Sequence, residues 1–133
     1  MWWKHLALAA AVVGVATCGG NGGSTPTSPS SGSGTPGQSG ATITITAAGA
    51  VSPAAVTING GESVTFVNNS SSAHQIASNP HPAHGDCPAI NALATISAGQ
   101  TKLTNALTTS RSCGFHDHND PNNAALQGTI TVR

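Results

Sequence analysis

Apolar and polar residues alternate in short segments of the chain between residues 41 and 133. The pattern is clearest at Thr42–Thr46 and at Ser63–Val67, where Val64 and Phe66 fall on one side and Thr65 on the other. A period of two places successive side chains on opposite faces of a strand, so these segments are predicted to be half-buried strands. Six more segments, bounded by turn residues, are also predicted to be strands: Val56–Ile58, Ala73–Ser78, Leu93–Ile96, Leu103–Leu107, Arg111–Phe115 and Gly128–Val132.

The predicted elements indicate a single all-β domain. No segment keeps apolar residues at helical spacing over three turns. About eight short strands joined by turns predict a β-sandwich, and the 93 residues of Ala41–Arg133 suffice for one such core. Asn79–Asn91, which contains histidines and prolines, interrupts the pattern and is expected to be an insertion too polar for the core.

Residues 1–17 are predicted to be a signal peptide. Lys4 precedes an apolar run from Leu6 to Ala16, which is shorter than the about 20 residues that a membrane-spanning helix needs but suits the apolar part of an export signal. The run ends in VATCG at residues 15–19, which resembles the lipobox of bacterial lipoproteins. The resemblance implies that Cys18 is lipidated, and ordinary secretion with an incidental Cys18 is the alternative.

Residues 18–40 are predicted to be a flexible linker, since nearly all residues after Cys18 are Gly, Ser, Thr or Pro. The folded domain is expected to span residues 41–133. Together with the signal, this predicts an exported protein that is lipid-anchored to the bacterial membrane, on its periplasmic or cell-surface side.

Charge and aromatic content narrow the possible partners. Charged residues make up 6% of the chain, and four basic residues balance four acidic ones, so no basic face is expected to neutralise phosphates. After Trp2 and Trp3 the only aromatic residues of the Phe, Trp and Tyr type are Phe66 and Phe115, so platforms for stacking bases are absent. A monomeric domain without a nucleic-acid partner is expected.

Histidine is the residue type that points to chemistry, because five of the six histidines lie between His74 and His118. Cys113 lies in a predicted strand, His116 follows it, and a loop then leads to the strand sequence GTITV at residues 128–132. Upstream, the segment VTFVNN at residues 64–69 precedes His74. Over residues 41–133 this combination resembles the cupredoxins, the copper proteins related to plastocyanin and azurin.

The resemblance implies a cupredoxin-like Greek-key β-sandwich with copper bound by His74, Cys113 and His116, and with His118 as a substitute ligand. Two imidazoles and a thiolate suit a Cu(I)/Cu(II) couple, because the soft sulfur stabilises Cu(I) while the nitrogens accept Cu(II). The family's usual axial methionine is missing, since Met1 is the only methionine. The remaining axial candidates are Leu126, Gln127 and Asp117.

Two alternatives concern the cysteines and the other histidines. Two cysteines of an exported domain commonly form a disulfide, and here they are Cys87 and Cys113. Such a bond would stabilise the folded domain by about 3 kcal/mol and would leave no thiolate for a metal. The run that contains His81, His84 and Cys87 is either a solvated loop or an additional or composite site for Cu(II) or Zn(II).

Three functions remain open from the sequence. The first is a tethered one-electron carrier that serves an unidentified redox protein. The second is a copper or zinc binding, storage or delivery module that serves a copper-handling partner, with a disulfide between Cys87 and Cys113, and the third is a structural or adhesive surface domain. Enzymatic activity is not expected, because Ser71, His74 and Asp86 lack the nucleophile elbow of a hydrolase.

Overall fold

A computed structural model of the chain describes residues 38–133. The predicted signal peptide, the lipidation site Cys18 and the linker up to residue 37 lie outside the described residues. Among the described residues, no helix is long and apolar enough to cross a membrane. The strands are β1 (Ser39–Ile45), β2 (Val51–Ser52), β3 (Ala55–Ile58), β4 (Ser63–Asn68), β5 (His74–Ser78), β6 (Thr95–Ile96), β7 (Thr101–Leu103), β8 (Arg111–Asp117) and β9 (Gly128–Val132).

The strands form two mixed sheets, which confirms the all-β sandwich. One sheet has the strand order β2-β1-β4-β7, and the other has the order β3-β9-β8-β5-β6. The pairs β1 with β4 and β3 with β9 are parallel, whereas the other strand pairs are antiparallel. A short helix α1 (Pro88–Asn91) follows β5, and a 3-10 helix (Ala124–Leu126) precedes β9.

The predicted alternation builds the core between the sheets. Val64 and Phe66 of β4 are completely buried, as are Ile43 and Ile45 of β1. Phe115 of β8 meets Phe66 from the opposite sheet, with ring centroids 5.3 Å apart and ring planes at 87°. This edge-to-face contact lies where the two inner faces meet, and such pairs contribute about 0.5–1.5 kcal/mol beyond their buried area.

Several details differ from the predicted pattern, and the strand predicted at Leu93–Ile96 begins only at Thr95. Strand β2 was not expected, and the strand predicted at Leu103–Leu107 ends at Leu103, after which Leu107 forms only an isolated bridge to Glu62. The end of the Asn79–Asn91 insertion is not too polar for the core. Helix α1 turns Ile90 inward, so that this side chain is completely buried.

Strand β8 is longer than predicted, and this positions the functional site. It continues past Phe115 to Asp117, and the main-chain N–H of His118 still donates to Gln75 of β5 at 2.7 Å. Because side chains alternate along a strand, Cys113, Phe115 and Asp117 point into the sandwich. His116 and His118 point to the other side of this five-stranded sheet, which we call the outer face.

Cys87 and Cys113 form a disulfide in the structure, which is one of the two alternatives expected from the sequence. Cys87, just before α1, is bonded to Cys113 of β8, with the two Cα atoms 5.8 Å apart. Both residues are buried against the core, at 5% and 1% exposure. The bond therefore ties the segment after β5 to the middle of β8.

We expect the Cys87→Ala/Cys113→Ala variant to unfold with a free energy about 3 kcal/mol below that of the oxidised wild type, because the bond closes a loop across 26 residues. Urea unfolding followed by circular dichroism measures the difference. Equal unfolding free energies in the variant and in the oxidised wild type would contradict this role.

Candidate metal centre

Four histidines gather on the outer face. One ring nitrogen from each of His81, His84, His116 and His118 lies within 4.8 Å of the corresponding nitrogens of the other three. We call these four residues the histidine cluster. Their spacing in the sequence, 81 and 84 against 116 and 118, shows that two separate segments build it.

Strand β8 supplies His116, and His118 follows directly after the last residue of the strand, with its N–H still bonded to the carbonyl of Gln75 in β5. These residues are two positions apart, so they project on the same face of the sheet. The register pairs His116 with Ala77 of β5, whose small side chain leaves room beside the imidazole. His116 is only 2% exposed, which is unusual for a histidine on the outside of a sheet.

The loop of residues 79–87 covers His116 and supplies the other two histidines. Asn79 begins the loop, and its N–H donates to the carbonyl of Gly114 in β8 at 2.9 Å. Asp86 closes the loop by donating its N–H to the carbonyl of Asn79, also at 2.9 Å. The disulfide at Cys87 then fixes the far end, so both ends of the loop are attached to neighbouring residues of β8.

Hydrogen bonds to the main-chain carbonyl of His84 hold this residue in place. Its φ of 50° lies in the left-handed region that non-glycine residues rarely adopt. Its carbonyl accepts hydrogen bonds from the Ser78 hydroxyl at 2.8 Å and from the Asn91 side-chain amide at 2.9 Å. These two bonds offset the cost of the left-handed backbone and fix the position from which the imidazole projects.

Two nitrogen–nitrogen distances within the histidine cluster are close to those expected around one metal ion. His84 Nε2 lies 3.4 Å from His81 Nδ1 and 3.2 Å from His118 Nδ1. Four nitrogens at about 2.0 Å from a tetrahedral zinc ion are separated from one another by about 3.3 Å. These two separations suit a single ion bound by imidazole nitrogens, and all four nitrogens lie within 4.8 Å of one another.

His116 provides the strongest indication that the histidine cluster suits a metal ion. Its Nδ1 is hydrogen-bonded to Asn79 Oδ1 at 2.7 Å, whereas its buried Nε2 has no hydrogen-bond partner in the described part of the chain. A buried polar atom without a partner costs free energy, so such atoms call for an explanation. A metal ion in the histidine cluster would bind this nitrogen, and the residues present fit such an ion.

Burial and mutual proximity favour the neutral form of two members of the histidine cluster. The pKa of His84 is lowered first by burial and then by His118 and His81. The pKa of His116 is lowered first by burial and then by the three other imidazoles, while Asp117 acts in the opposite direction. Neutral imidazole is the form that binds metals, so these shifts reduce competition by protons.

The ligand set implied by the sequence resemblance is not assembled, and this corrects the expected His74, Cys113 and His116 site. Cys113 is in a disulfide, and a disulfide sulfur is not a thiolate. It also points into the sandwich, whereas His116 points outward. His74 Nδ1 is instead bonded to Asp117 Oδ2 at 2.7 Å, so His74 lies beside a carboxylate rather than a thiolate.

The axial candidates also lie outside the histidine cluster. Both carboxylate oxygens of Asp117 accept hydrogen bonds, from His74 and from main-chain N–H groups. Leu126 is buried and carries no donor atom, and the side-chain amide of Gln127 donates to a main-chain carbonyl. Cys87 is removed from the expected second site by the disulfide, while the neighbouring histidines of that site belong to the cluster.

A different serine from the expected Ser71 approaches His74. The Ser70 hydroxyl lies 2.9 Å from His74 Nε2, which places Ser70, His74 and Asp117 in a row. The hydroxyl donates to Asn68 Oδ1 at 2.7 Å, because the Asn68 amide nitrogen already donates to two main-chain carbonyls. All three residues of this row are buried, and the row links the turn before β5 to the end of β8.

The shifts of the two histidine pKa values predict how stability depends on pH. The unfolded chain takes up protons near the ordinary value of 6.5, while folded His84 and His116 remain neutral to lower pH. The free energy of unfolding of the metal-free protein should therefore fall as the pH drops below 6.5.

Thermal unfolding in the presence of a chelator, at pH 8 and pH 5.5, measures this loss. The His84→Gln/His116→Gln variant is the matched control and should lose less stability over the same interval. An equal loss in both proteins would show that these two histidines are not responsible.

Comparisons with known proteins identify the fold. No protein family and no curated protein matches the chain. Among solved structures, the oxidised form of plastocyanin from Dryopteris crassirhizoma is 20% identical, with a TM-score of 0.55, and the match covers 69% of this chain and 99% of that one.

Two further solved structures agree with this result. The novel purple cupredoxin from Nitrosopumilus maritimus is 20% identical with a TM-score of 0.51, and the match covers 70% of this chain and 99% of that one. Amicyanin from Paracoccus versutus is 16% identical with a TM-score of 0.53, and the match covers 70% of this chain and 80% of that one. The chain described here has the cupredoxin fold.

Proposed function

We propose that this chain is an exported copper-binding protein that holds Cu(II) at the histidine cluster, for storage or for delivery to a copper-handling partner. One observation carries the proposal: four imidazoles from two segments converge, and the buried Nε2 of His116 has no hydrogen-bond partner among residues 38–133. The signal-like N-terminus and the lipobox-like sequence at Cys18 support export and attachment to the bacterial membrane.

The imidazole nitrogens of the histidine cluster favour Cu(II). Imidazole suits copper and zinc, and the general order of affinities places Cu(II) above Zn(II) for a given nitrogen site. No thiolate is available in the described domain, because Cys87 and Cys113 are joined. Zn(II) also takes imidazole nitrogens as ligands and is therefore the expected competitor.

The burial of the four ligands supports storage or delivery. His116 is buried, His84 and His118 are half-buried, and His81 is exposed. An ion in the histidine cluster would thus be held from the protein side and remain reachable from solvent at His81. An acceptor can replace a solvent-exposed ligand without unfolding the site.

A second candidate is the one-electron carrier, and the shared fold is the observation that favours it. The solved neighbours include oxidised plastocyanin and the Cu(I) form of a mutant of amicyanin. In this chain, such a carrier would use the histidine cluster rather than a site with Cys113. A reversible Cu(II)/Cu(I) couple without loss of the ion would favour this candidate, while release of the ion on reduction would favour storage or delivery.

We expect the oxidised protein to bind one Cu(II) or one Zn(II) per chain. The His84→Ala/His116→Ala variant should lose more affinity than the roughly 10–100-fold that removal of an outer-shell partner typically costs, because two direct ligands are removed. Competition with a chelator of known affinity, followed during metal titration, gives both stoichiometry and affinity.

The control for this titration is His74→Gln, which changes a histidine outside the cluster. It should still bind one ion with nearly wild-type affinity, provided that circular dichroism shows a folded domain. Loss of binding in His74→Gln together with normal binding in the double variant would overturn the proposed site.

A further inference from the structure

The proposed metal site contains a residue that orients one of its ligands without touching the ion. We propose that Asn79 is a positioning residue: its Oδ1 accepts the Nδ1–H of His116 and so directs the Nε2 lone pair of His116 into the histidine cluster. This inference rests on the proposed function and deepens it, because it explains how the buried ligand is prepared for the ion.

The proton of the His116 ring decides whether this ligand can bind. A neutral imidazole carries one N–H, so a proton on Nδ1 leaves a lone pair on Nε2. The Nδ1 atom lies 2.7 Å from Asn79 Oδ1, within a bond that is partly shielded from water. With the proton on Nε2 instead, a buried N–H would point among the other imidazoles, and the acceptor on Asn79 would lose its donor.

Asn79 is itself held in place at the junction of the two segments. Its N–H donates to the carbonyl of Gly114, and its own carbonyl accepts the N–H of Asp86, each at 2.9 Å. Asn79 therefore links β8, which carries His116, to the loop that carries His81 and His84. Its position is fixed by main-chain bonds that do not involve its side chain.

Gly114 leaves the space that the Asn79 side chain occupies. A Cβ atom built on Gly114 would collide with the amide group of Asn79. Any larger residue at position 114 must therefore push this amide away. Gly114→Ala is thus a second, independent way to disturb the hydrogen bond to His116 while leaving Asn79 in the sequence.

The experiment makes two measurements. The first is which ring nitrogen of His116 carries the proton in the metal-free protein, and the second is the affinity of the protein for Zn(II), which serves as the probe ion. Nitrogen-15 NMR of the histidine rings at pH 8 identifies the nitrogen that carries the proton, with His116 assigned by its absence in His116→Gln. The wild type should show Nδ1–H at His116. Asn79→Leu, which has similar size but no acceptor, should show a rise in the Nε2–H form and a loss of Zn(II) affinity of about 10–100-fold.

Asn79→Asp is the matched conservative variant, because it retains an oxygen acceptor at the same place. It should keep the Nδ1–H form and bind Zn(II) at least as tightly as the wild type. Leu preserves the packing of Asn79 because of its similar size, whereas Asp preserves its oxygen acceptor. Normal Zn(II) affinity with Asp but not with Leu therefore shows that Asn79 positions His116 and does not act by packing alone. Gly114→Ala should shift the ring protonation in the same direction as Asn79→Leu.

The outcomes separate this inference from the proposed function. If the wild type binds Zn(II) and Asn79→Leu has the same affinity and ring protonation, positioning by Asn79 is wrong and the metal site stands. If the wild type shows Nε2–H at His116, the inference is overturned, whether or not Asn79→Leu folds. If the wild type shows Nδ1–H but binds no ion, the orientation by Asn79 holds and the proposed function fails.

Discussion

The alternation of side chains along β8 is the constraint on which the whole site depends. Cys113 and His116 are three residues apart in a regular strand, so they point to opposite faces of the sheet and cannot bind one ion together. Core packing fixes this register, because Phe115 is completely buried and meets Phe66 across the sandwich. A shift by one residue would move Phe115 to the outer face, at a large cost in buried apolar area.

The second requirement is that the loop of residues 79–87 is held on the outer face by bonds within the protein. Its first residue, Asn79, is bonded to Gly114, and its last residue, Cys87, is bonded to Cys113. Since these two partners are consecutive in β8, the loop closes on one point of the sheet. A site fixed in this way loses little conformational entropy on binding, which favours affinity. The disulfide thus removes a thiolate from the metal chemistry and holds in place the loop that carries His81 and His84.

Period-two alternation was sufficient to predict the sandwich and most of its core, including Phe66 and Phe115, because burial on one face is a local pattern. The clustering of histidines also pointed to metal chemistry. The structure groups the histidines differently from the expected ligand set, because the grouping depends on where β8 ends and on which face the loop covers. Two more residues of strand after Phe115 carry Asp117 inward to His74 and send His116 outward. The loop's direction depends on hydrogen bonds and a disulfide between segments that are distant in the sequence, and no local pattern encodes them.

The proposed function requires that one ion is bound by imidazole nitrogens alone, at the histidine cluster. X-ray absorption spectroscopy of the oxidised protein, loaded with one equivalent of Cu(II) and separately of Zn(II), tests it most directly. Four imidazoles predict a first shell of nitrogen only, at about 2.0 Å for zinc, together with the outer-shell scattering of imidazole rings. A sulfur ligand, at about 2.3 Å for zinc, would contradict the account, because it would require a free Cys113 or Cys87.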